Sequence, residues 1–492
     1  MQAHASIPVG PPIATPLPSY WHSKPSPLAN LIQPNANNTT QPFKKYDYMI
    51  IGSGISGAML AYNILTSHPR SSVLMLEARG ICSGATGRNG GHTKAASYRS
   101  YLQNKEDLGR EEALRIVRLE WECIVATHRL AEETGLRGEA DMCRTVDVIY
   151  DAGVWEAGKR AIEELKADAD VEECKEGGMA WYEIHEAGEE GVLETFHVAR
   201  TNGNPAVQVE EKVQGVFEYM AGRIHAYRFT TTILQKCVKL GLQICTHTPV
   251  HSVIPSSSTT DAWDVHTQFG SATTSNVILA TNGYTSYLLK EMQGVIVPMR
   301  GQITAQRPGL GNTLTTPLPT TYSFIYKSGY EYMIPRPLED EGQHIVIGGG
   351  LGRLPEHGAS EYGTVDDGSL NPQVSEYLRE SLTGYFGVQH WGEKTEDDAS
   401  QRVVQEWTGI MGATADGRPY VGEIPGKKGM WICAGFNGHG MVLCLKAAEA
   451  LVQMMGGGRR PEWFPESFLV SEERVAKARF TGRTDMKVPT PA

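Results

Sequence analysis

The 492-residue sequence lacks the features that mark a membrane or nucleic-acid protein. It contains no apolar run of the roughly 18 residues that a membrane span needs. The formal net charge is −11 and Lys/Arg clusters are missing, which argues against nucleic-acid and anionic-membrane partners. The N-terminus lacks the charged and apolar regions of a secretory signal, so we expect a cytoplasmic protein.

Cysteine patterns are also missing. None of the eight cysteines stands in a C-x-x-C pair, and no Cys/His group has zinc spacing, so the sequence predicts no metal site. Scattered cysteines in a long chain indicate reduced thiols and an intracellular setting. The remaining composition, 40% hydrophobic and 21% charged, is ordinary for a globular protein of two or three domains.

Glycine, by contrast, is abundant, with 53 residues in the chain against a usual share of roughly 7%. The most informative group follows a short apolar strand at 48–51. Gly52, Gly54 and Gly57 have G-x-G-x-x-G spacing and precede an apolar helix, and a second strand then ends at Glu77. The order strand, glycine turn, helix, strand and acid is typical of a dinucleotide site.

Each part of this unit has a physical role. Gly52 permits the tight turn, Gly54 lets the backbone approach a pyrophosphate, and Gly57 lets the helix pack on the strand. The helix N-terminus offers N–H groups and a positive dipole end to that pyrophosphate. Glu77, 20 residues after Gly57, can accept the ribose 2′-hydroxyl and would repel the 2′-phosphate of NADP. The alternative is a tight βαβ turn without a ligand.

Two further glycine-rich segments follow the same logic. Residues 80–92 hold five glycines in thirteen positions, which predicts a second close backbone approach to a ligand; an ordinary flexible loop is the alternative. Residues 435–440 lie between a predicted strand at 429–434 and a predicted helix at 441–455. This unit begins 383 residues after Gly52, and its helix N-terminus could face another anionic part of the same ligand.

The remaining sequence alternates helices and strands up to a β-rich segment at 286–400, which predicts an antiparallel sheet. Residues 1–44 show no periodicity and predict an irregular arm, with Tyr20 and Trp21 holding part of it to the body. The predicted helices are 104–135, 154–166 and 229–240, and the predicted strands are 143–150, 242–246, 249–254, 263–269, 275–280, 302–306, 322–326, 330–334 and 344–347.

A strand–turn–helix unit near each end of the chain suits one long cofactor that lies across a doubly wound domain. FAD is longer than NAD and needs a second anchor for its flavin ring. The chain resembles the flavin amine and amino-acid oxidase superfamily, which includes D-amino acid oxidase, glycine oxidase and sarcosine oxidase. The runs ICSGATGRNGGH and AGFNGHGM are most similar to the branch with gamma-glutamylputrescine oxidase. The resemblance covers roughly residues 46–460.

This resemblance implies an α/β FAD-binding Rossmann-like domain of the glutathione-reductase type, plus an α+β substrate domain with an antiparallel sheet. Both domains would be discontinuous in sequence. The implied parts are the arm at 1–44, the FAD-binding domain at 45–100, 225–285 and 401–460, the substrate domain at 101–224 and 286–400, and a C-terminal tail at 461–492.

The resemblance also implies which residues hold FAD. Those at the pyrophosphate would be Gly52, Gly54, Ile55, Ser56 and Gly57, and those at the adenosine would be Glu77, Ala78, Arg79 and Val250. The loop approaching the flavin would contribute Thr86, Arg88, Asn89, Gly90, Gly91 and His92. The residues closing over the cofactor would be Ala280, Thr281, Asn282 and Gly283, and those at the pyrimidine side of the flavin would be Gly438, His439, Gly440 and Met441.

The implied reaction is oxidation of a C–N bond in an amine or amino acid by hydride transfer to flavin N5, followed by imine hydrolysis. Oxygen is the expected acceptor. Gly409 stands where sarcosine oxidase has its flavin-linking cysteine, so we expect non-covalent FAD. The strand at 344–347 lacks the lysine that sarcosine oxidase uses for oxygen. The alternatives are a dehydrogenase that reduces a quinone or another acceptor, and an FAD-binding protein with a non-catalytic role.

Catalytic and substrate-binding candidates are less specific. His439 could add a donor or a positive charge beside the reduced flavin, or serve as a structural turn residue. A substrate carboxylate needs an arginine, ideally a bidentate one. The candidates for that arginine are Arg223, Arg300 and Arg336, and the candidates to line the pocket are His225, Tyr227, Tyr330 and Tyr332. Of all these, His439, Arg300, Tyr332 and His225 are the predicted catalytic set.

Overall fold

The computed structural model describes residues 1–31, 45–136, 139–309, 318, 320–336, 343–394 and 401–483. Predictions for the end of the arm and for the tail beyond residue 483 lie outside the described residues. The helices are α1 (Gln2–Ala5), α2 (Ile55–Ser67), α3 (Tyr98–Leu108), α4 (Arg110–Glu133), α5 (Ala152–Asp168), α6 (Val192–Thr195), α7 (Ala226–Lys239), α8 (Thr285–Leu288), α9 (Pro372–Trp391), α10 (Cys444–Met455) and α11 (Glu472–Lys477).

The strands, in chain order, are β1 (Tyr46–Ile51), β2 (Val73–Leu76), β3 (His92–Thr93), β4 (Ala140–Ile149), β5 (Glu183–Glu186), β6 (Gly215–Ile224), β7 (Gln243–Cys245), β8 (Val250–Pro255), β9 (Trp263–Thr267), β10 (Gly270–Leu279), β11 (Ile296–Gln306), β12 (Thr321–Tyr326), β13 (Gly329–Pro335), β14 (Ile345–Gly349), β15 (Val403–Thr414), β16 (Tyr420–Glu423) and β17 (Met430–Ala434).

Sheet A carries the first glycine turn. Its parallel strands run in the order β17-β10-β1-β2-β7, antiparallel β16 borders β17, and the β8–β9 hairpin continues from β10. A parallel strand covered on both faces is apolar throughout. Met49, Ile50 and Ile51 are accordingly all buried: Ile50 packs with α2, α7 and α10, while Met49 and Ile51 pack on the opposite face with Trp263 and Val265.

Sheet B is mostly antiparallel, as predicted, in the order β15-β11-β14-β13-β12-β4-β6-β3, with β5 beside β6 and a parallel β4–β12 pair. The predicted strand at 302–306 is the second half of β11, which pairs with β15 along its whole length. The predicted domain boundary at residue 401 places β15 in the FAD-binding domain. In the structure, β15 pairs with β11 and belongs to sheet B.

Several elements differ from the predictions. The helix predicted at 104–135 is two helices, because Gly109 between α3 and α4 has φ 84°, a conformation that interrupts a helix. Strand β6 was missed, and the segment predicted as β-rich contains the 20-residue helix α9. Asn371 caps α9 by accepting from two backbone N–H groups and Pro372 is its first residue, a start signal that the sequence contains.

The described part of the arm packs against the body. It contains α1 and a short 3-10 turn at Tyr20–His22, and is otherwise without regular structure. Trp21 is 0% exposed, and Tyr20 stacks on Trp407 with ring centroids 6.0 Å apart. Among the described residues, no helix combines the length and apolar character needed to cross a membrane.

Candidate active site

A continuous cavity runs from the carboxyl ends of β1, β2 and β10 to the face of sheet B that carries Ser323, Tyr330 and Tyr332. Ligands of open α/β sheets bind at these strand ends. The predicted cofactor residues on the cavity wall are Gly52, Gly54, Ile55, Ser56, Glu77, Ala78, Arg79, Thr86, Arg88, Asn89, Gly90, His92, Val250, Ala280, Thr281, Asn282, Gly438, His439, Gly440 and Met441.

The first glycine turn has the geometry of an anion cradle. Gly52 has φ +108°, and a Cβ there would lie 2.6 Å from the Ala280 carbonyl oxygen. Gly54 is the N-cap of α2 without a capping side chain, and the first turn of α2 carries no acid. This helix N-terminus therefore presents backbone donors and a positive dipole end to the cavity.

Gly57 lies outside the cavity wall. A Cβ at this position would lie 2.0 Å from the Gly52 carbonyl oxygen, so glycine is needed for α2 to pack on the turn. This contact fits the packing role predicted for Gly57, and it places the residue behind the pyrophosphate cradle instead of on it.

Glu77 is held rigidly at the end of β2. Its Oε2 accepts from the Ser53 backbone N–H at 3.0 Å and from the Ser53 hydroxyl at 2.6 Å, and its Oε1 accepts from the Arg79 N–H at 2.9 Å. An ionised carboxylate has about four acceptor sites. The fixed side chain retains acceptor capacity for a ribose hydroxyl.

Arg79 and Arg88 line the cavity, but their guanidinium groups hold the protein together. Arg79 Nη1 donates to both carboxylate oxygens of Asp367, at 2.9 and 3.0 Å. Arg88 donates from Nε to the Ser83 carbonyl and from Nη1 to the Thr408 carbonyl. Burial lowers the pKa of Arg88 to about 10.

Residues 80–92, which we call the glycine loop, meet the cavity on one side and protein on the other. A Cβ at Gly91 would lie 2.5 Å from the Ile224 carbonyl oxygen and 3.2 Å from the Trp21 ring, so Gly91 lies outside the cavity wall. His92 Nε2 lies 2.7 Å from the Thr321 hydroxyl, and burial lowers the pKa of His92 well below its ordinary value, which keeps the ring neutral.

Residues 280–283, at the end of β10, contact the glycine turn that follows β17. Asn282 Oδ1 accepts from the backbone N–H of Gly435 at 3.0 Å and of Phe436 at 3.2 Å. Gly283 lies outside the cavity wall, and a Cβ at this position would lie 2.3 Å from the Met411 carbonyl oxygen. These bonds fix the spacing between two neighbouring parallel strand ends.

The helix after this turn begins later than predicted. A 3-10 turn at Gly440–Val442 follows His439, and α10 begins at Cys444, which lines the cavity. The Ser56 hydroxyl donates to Cys444 Sγ at 3.1 Å, so the first turns of α2 and α10 meet beside the cavity.

His439 has a defined tautomer preference. Its Nδ1 lies 3.0 Å from the Asn437 carbonyl oxygen and must carry the hydrogen, since a carbonyl can only accept. In the neutral ring, Nε2 is then an acceptor. The donor predicted at His439 could come from Nε2 only if the imidazole were protonated.

The predicted substrate residues separate into two groups. Tyr330, Tyr332 and Arg300 line the cavity. Arg300 is already engaged, because its Nε and Nη2 donate to Glu361 at 2.6 and 3.2 Å, and its Nη1 lies 3.3 Å from Asp366.

The other four candidates lie outside the cavity wall. His225 accepts from the Arg228 N–H as the N-cap of α7 and lies outside the cavity wall, and the catalytic role predicted for it stays a prediction. Tyr227 accepts from the Ser26 N–H at 3.0 Å. Arg223 lies 3.5 Å from Asp141, and Arg336 lies over the Trp21 ring.

Sequence reasoning missed the cations that surround Tyr330. The Arg99 guanidinium lies 4.2 Å from the Tyr330 ring centroid, and Arg483 Nη2 donates to the Tyr330 hydroxyl at 2.8 Å. Lys94 forms a buried ion pair with Asp147 and donates to the Ser323 hydroxyl at 3.0 Å. Arg483 is distant in sequence from Lys94 and Arg99, and no local motif marks any of the three.

Among the described residues, cationic side chains outnumber carboxylates on the cavity wall, although four of these cations pair with buried carboxylates. The wall includes six cationic side chains and two carboxylates. The cations are Arg79, Arg88, Lys94, Arg99, Arg300 and Arg483, and the carboxylates are Glu77 and Glu361. Tyr284 also lines the cavity, and its buried hydroxyl has no hydrogen-bond partner among the described residues. A large anionic ligand with hydrogen-bonding groups fits this wall.

Comparison with known proteins defines the class. Residues 47–454 match the model of the DAO family, described as FAD dependent oxidoreductase. The chain therefore belongs to the DAO family of FAD-dependent oxidoreductases, and its cofactor is FAD. This confirms the predicted superfamily, the enzyme class and the cofactor.

Individual relatives are distant. A glycine oxidase from Pseudomonas aeruginosa is 25% identical over 203 residues, which is 39% of this chain and 45% of that protein. The chain thus spans less than half the length of this curated relative. The probable oxidoreductase OrdL from Rhizobium meliloti is 22% identical over 405 residues, 81% of this chain and 80% of that protein.

Solved structures confirm the predicted fold class. Glycine oxidase from Geobacillus kaustophilus aligns with a TM-score of 0.63 at 18% identity, covering 87% of this chain and 99% of that one. L-proline dehydrogenase from P. horikoshii aligns with a TM-score of 0.61 at 19% identity, covering 87% of this chain and 97% of that one.

Proposed function

We propose that this chain oxidises the C–N bond of an amino acid, with FAD bound in the cavity between the two sheets. The cofactor residues would be those of the cavity wall, with the N-terminus of α2 at the pyrophosphate and Glu77 at the ribose. Bound FAD supplies a hydride acceptor. The names of the relatives, glycine oxidase and L-proline dehydrogenase, support a substrate whose amino nitrogen forms the bond that is oxidised.

The observation that carries the substrate class is the pair of arginines at Tyr330. Arg99 and Arg483 bring two positive charges to one aromatic ring on the cavity wall. Arg483 also approaches the last glycine turn, because its Nη2 would lie 3.7 Å from a Cβ at Gly438. A guanidinium binds a carboxylate through paired hydrogen bonds. The cations therefore favour an amino acid over a simple amine.

The same end of the cavity favours a neutral amino group, which an amine needs before it can lose hydride. Burial and neighbouring positive charge both disfavour an ammonium ion. Lys94 supplies such a charge, although burial lowers its own pKa and Asp147 opposes that shift. The substrate would bind through its carboxylate at the arginines and lose its ammonium proton to solvent water on entry.

We propose that FAD is held without a covalent bond. Cys444 is a cysteine of the cavity wall, and burial raises the pKa of its thiol well above the ordinary value, which keeps it un-ionised and a poor nucleophile. Gly409, which stands where sarcosine oxidase has its flavin-linking cysteine, also lines the cavity. Acid precipitation of the purified protein should leave the flavin in the supernatant; yellow pellets would contradict this.

Oxygen is the proposed acceptor. Strand β14 has no lysine, but Lys94 brings an ammonium group to the cavity from another direction. A fixed positive charge favours electron transfer to oxygen by stabilising the negative charge that develops. Peroxide formed during turnover in air supports the oxidase, and turnover that needs an added quinone supports the dehydrogenase.

An anaerobic titration tests the whole proposal. The purified holoenzyme is mixed with amino acids and with the amines that lack their carboxylates, and the flavin absorbance is followed. Bleaching by an amino acid, with its decarboxylated amine at least about 30-fold weaker, is the expected result. Equal bleaching by both members of a pair would remove the carboxylate assignment, and no bleaching by any amine would favour the non-catalytic alternative.

A further inference from the structure

We propose that residues 11–22 of the N-terminal arm, here called the strap, are part of the FAD site. The strap lies outside residues 47–454, the part of the chain that matches the family. Its Pro11 and Pro12 line the cofactor cavity directly. The next residue, Ile13, accepts from Arg79 Nη1 at 3.4 Å, which places this part of the strap beside the strand end that carries Glu77.

The strap also holds the glycine loop from behind through its side chains. The Ser19 hydroxyl, 3% exposed, donates to the Gly87 carbonyl at 2.7 Å. The Trp21 indole N–H donates to the Asn89 carbonyl. Asn89 and its neighbours Arg88 and Gly90 line the cavity, so these two bonds fix the backbone of the cofactor wall.

The strap backbone completes the same contact. The Leu17 carbonyl accepts from Arg88 Nη2, and the Leu17 N–H donates to the Asp367 carbonyl at 2.8 Å. Tyr20 stacks on Trp407, whose indole N–H donates to the Arg88 carbonyl at 2.8 Å. The strap therefore binds the Arg88 side chain directly, and it contacts Trp407, the residue that bonds the Arg88 backbone carbonyl.

The glycines of the loop correspond to this packing. A Cβ at Gly87 would lie 2.5 Å from His22 Nε2, and a Cβ at Gly91 would lie 3.2 Å from Trp21. Gly91, a predicted cofactor residue, and Gly87 thus both admit side chains of the strap, beside the closer Ile224 and Cys82 carbonyl oxygens. The loop holds its cavity-facing shape because protein fills the space on its other side.

The test measures FAD binding to the apoprotein by quenching of FAD fluorescence. Ser19→Ala and Trp21→Phe each remove one donor to the loop and retain most of the buried volume. Ser26→Ala and Trp263→Phe are the matched controls: Ser26 lies in the arm outside the strap and bonds Leu28 and Gln235, and Trp263 donates its indole N–H to the Lys428 carbonyl at 2.9 Å.

We expect each strap variant to weaken FAD binding about tenfold, the size of one lost hydrogen bond to a carbonyl that stays buried. The controls should lower the unfolding temperature of the apoprotein by a similar amount and leave the Kd for FAD within twofold of wild type. Strap variants whose Kd stays within twofold of the controls would overturn the proposal. If Trp21→Phe does not fold, Ser19→Ala decides alone. The readout does not involve turnover, so it is independent of the proposed substrate.

Discussion

The first glycine turn, at the cofactor end of the cavity, and the substrate end are built from contacts of different range. At the cofactor end, Ser53 bonds Glu77 across 24 residues of sequence, and Gly57 packs on the carbonyl of Gly52. At the substrate end, Lys94 meets Ser323 across 229 residues, and Arg483 meets Tyr330 across 153. A short-range site leaves a motif in the sequence, whereas a long-range site depends on how the sheets are placed.

The largest effect should come from breaking the short-range end. Gly57→Ala places a Cβ 2.0 Å from the Gly52 carbonyl oxygen, which backbone cannot accommodate without moving α2. We expect FAD affinity to fall more than about 100-fold, because the pyrophosphate cradle moves with the helix. Fluorescence titration of the apoprotein measures this.

The control for that change is Gly188→Ala, where an added Cβ has no neighbour within 4 Å. Its FAD affinity should equal that of wild type. If Gly57→Ala binds FAD as tightly as this control, the helix-packing role of Gly57 is wrong.

A second prediction concerns a buried acid beneath the substrate end. The Glu120 carboxylate accepts from the hydroxyl of Ser97, a residue that lies between Lys94 and Arg99 in sequence. Burial raises the pKa of Glu120 from 4.5 to about 7. Between these pH values the folded protein binds a proton that the unfolded chain has lost, so the free energy of unfolding falls as pH rises. The fall across this window should be about 3 kcal/mol.

Denaturant unfolding at pH 5 and pH 8 measures this dependence. Glu120→Gln should remove it and raise stability at pH 8, because the amide stays neutral. Glu122→Gln, at an exposed position on the same helix, should retain the wild-type slope. An unchanged slope in Glu120→Gln would show that other groups cause the pH dependence.

The third prediction has the smallest expected effect and distinguishes the roles of two arginines on the cavity wall. Arg483→Gln should lower kcat/KM about 30-fold for an amino acid and much less for the matching amine, since a charged hydrogen bond to carboxylate is lost. Arg300→Gln should lower stability, because Glu361 stays buried without its partner, and it should leave the ratio of the two kcat/KM values unchanged. Equal ratios in both variants would place the carboxylate elsewhere.

Most of the cofactor end could be predicted from sequence, because Gly52, Gly54 and Glu77 act through their own strand–turn–helix unit. The sequence was less informative where a residue's partners come from elsewhere in the chain. Gly91 lies in a loop whose composition is typical of a ligand site, yet the close neighbours of Gly91 are Trp21 and Ile224.

The substrate end shows the same limit more strongly. Arg300 was predicted as a ligand from its local segment, and its partners Glu361 and Asp366 became visible only when sheet B was assembled. Arg99 and Arg483 carried no pattern at all, since one lies on a polar helix and the other in the C-terminal segment. Local sequence cannot reveal that both reach Tyr330.

The bond between Ser56 and Cys444 joins positions 388 residues apart beside the cofactor. During synthesis at roughly 5–20 residues per second, on the order of 20–80 s pass between these two positions. The cofactor site at the first glycine turn is therefore complete only after most of the chain has been synthesised. Flavin loading is a late event in the life of each molecule, and a chain truncated before α10 should be a target for chaperones and not a partial flavoprotein.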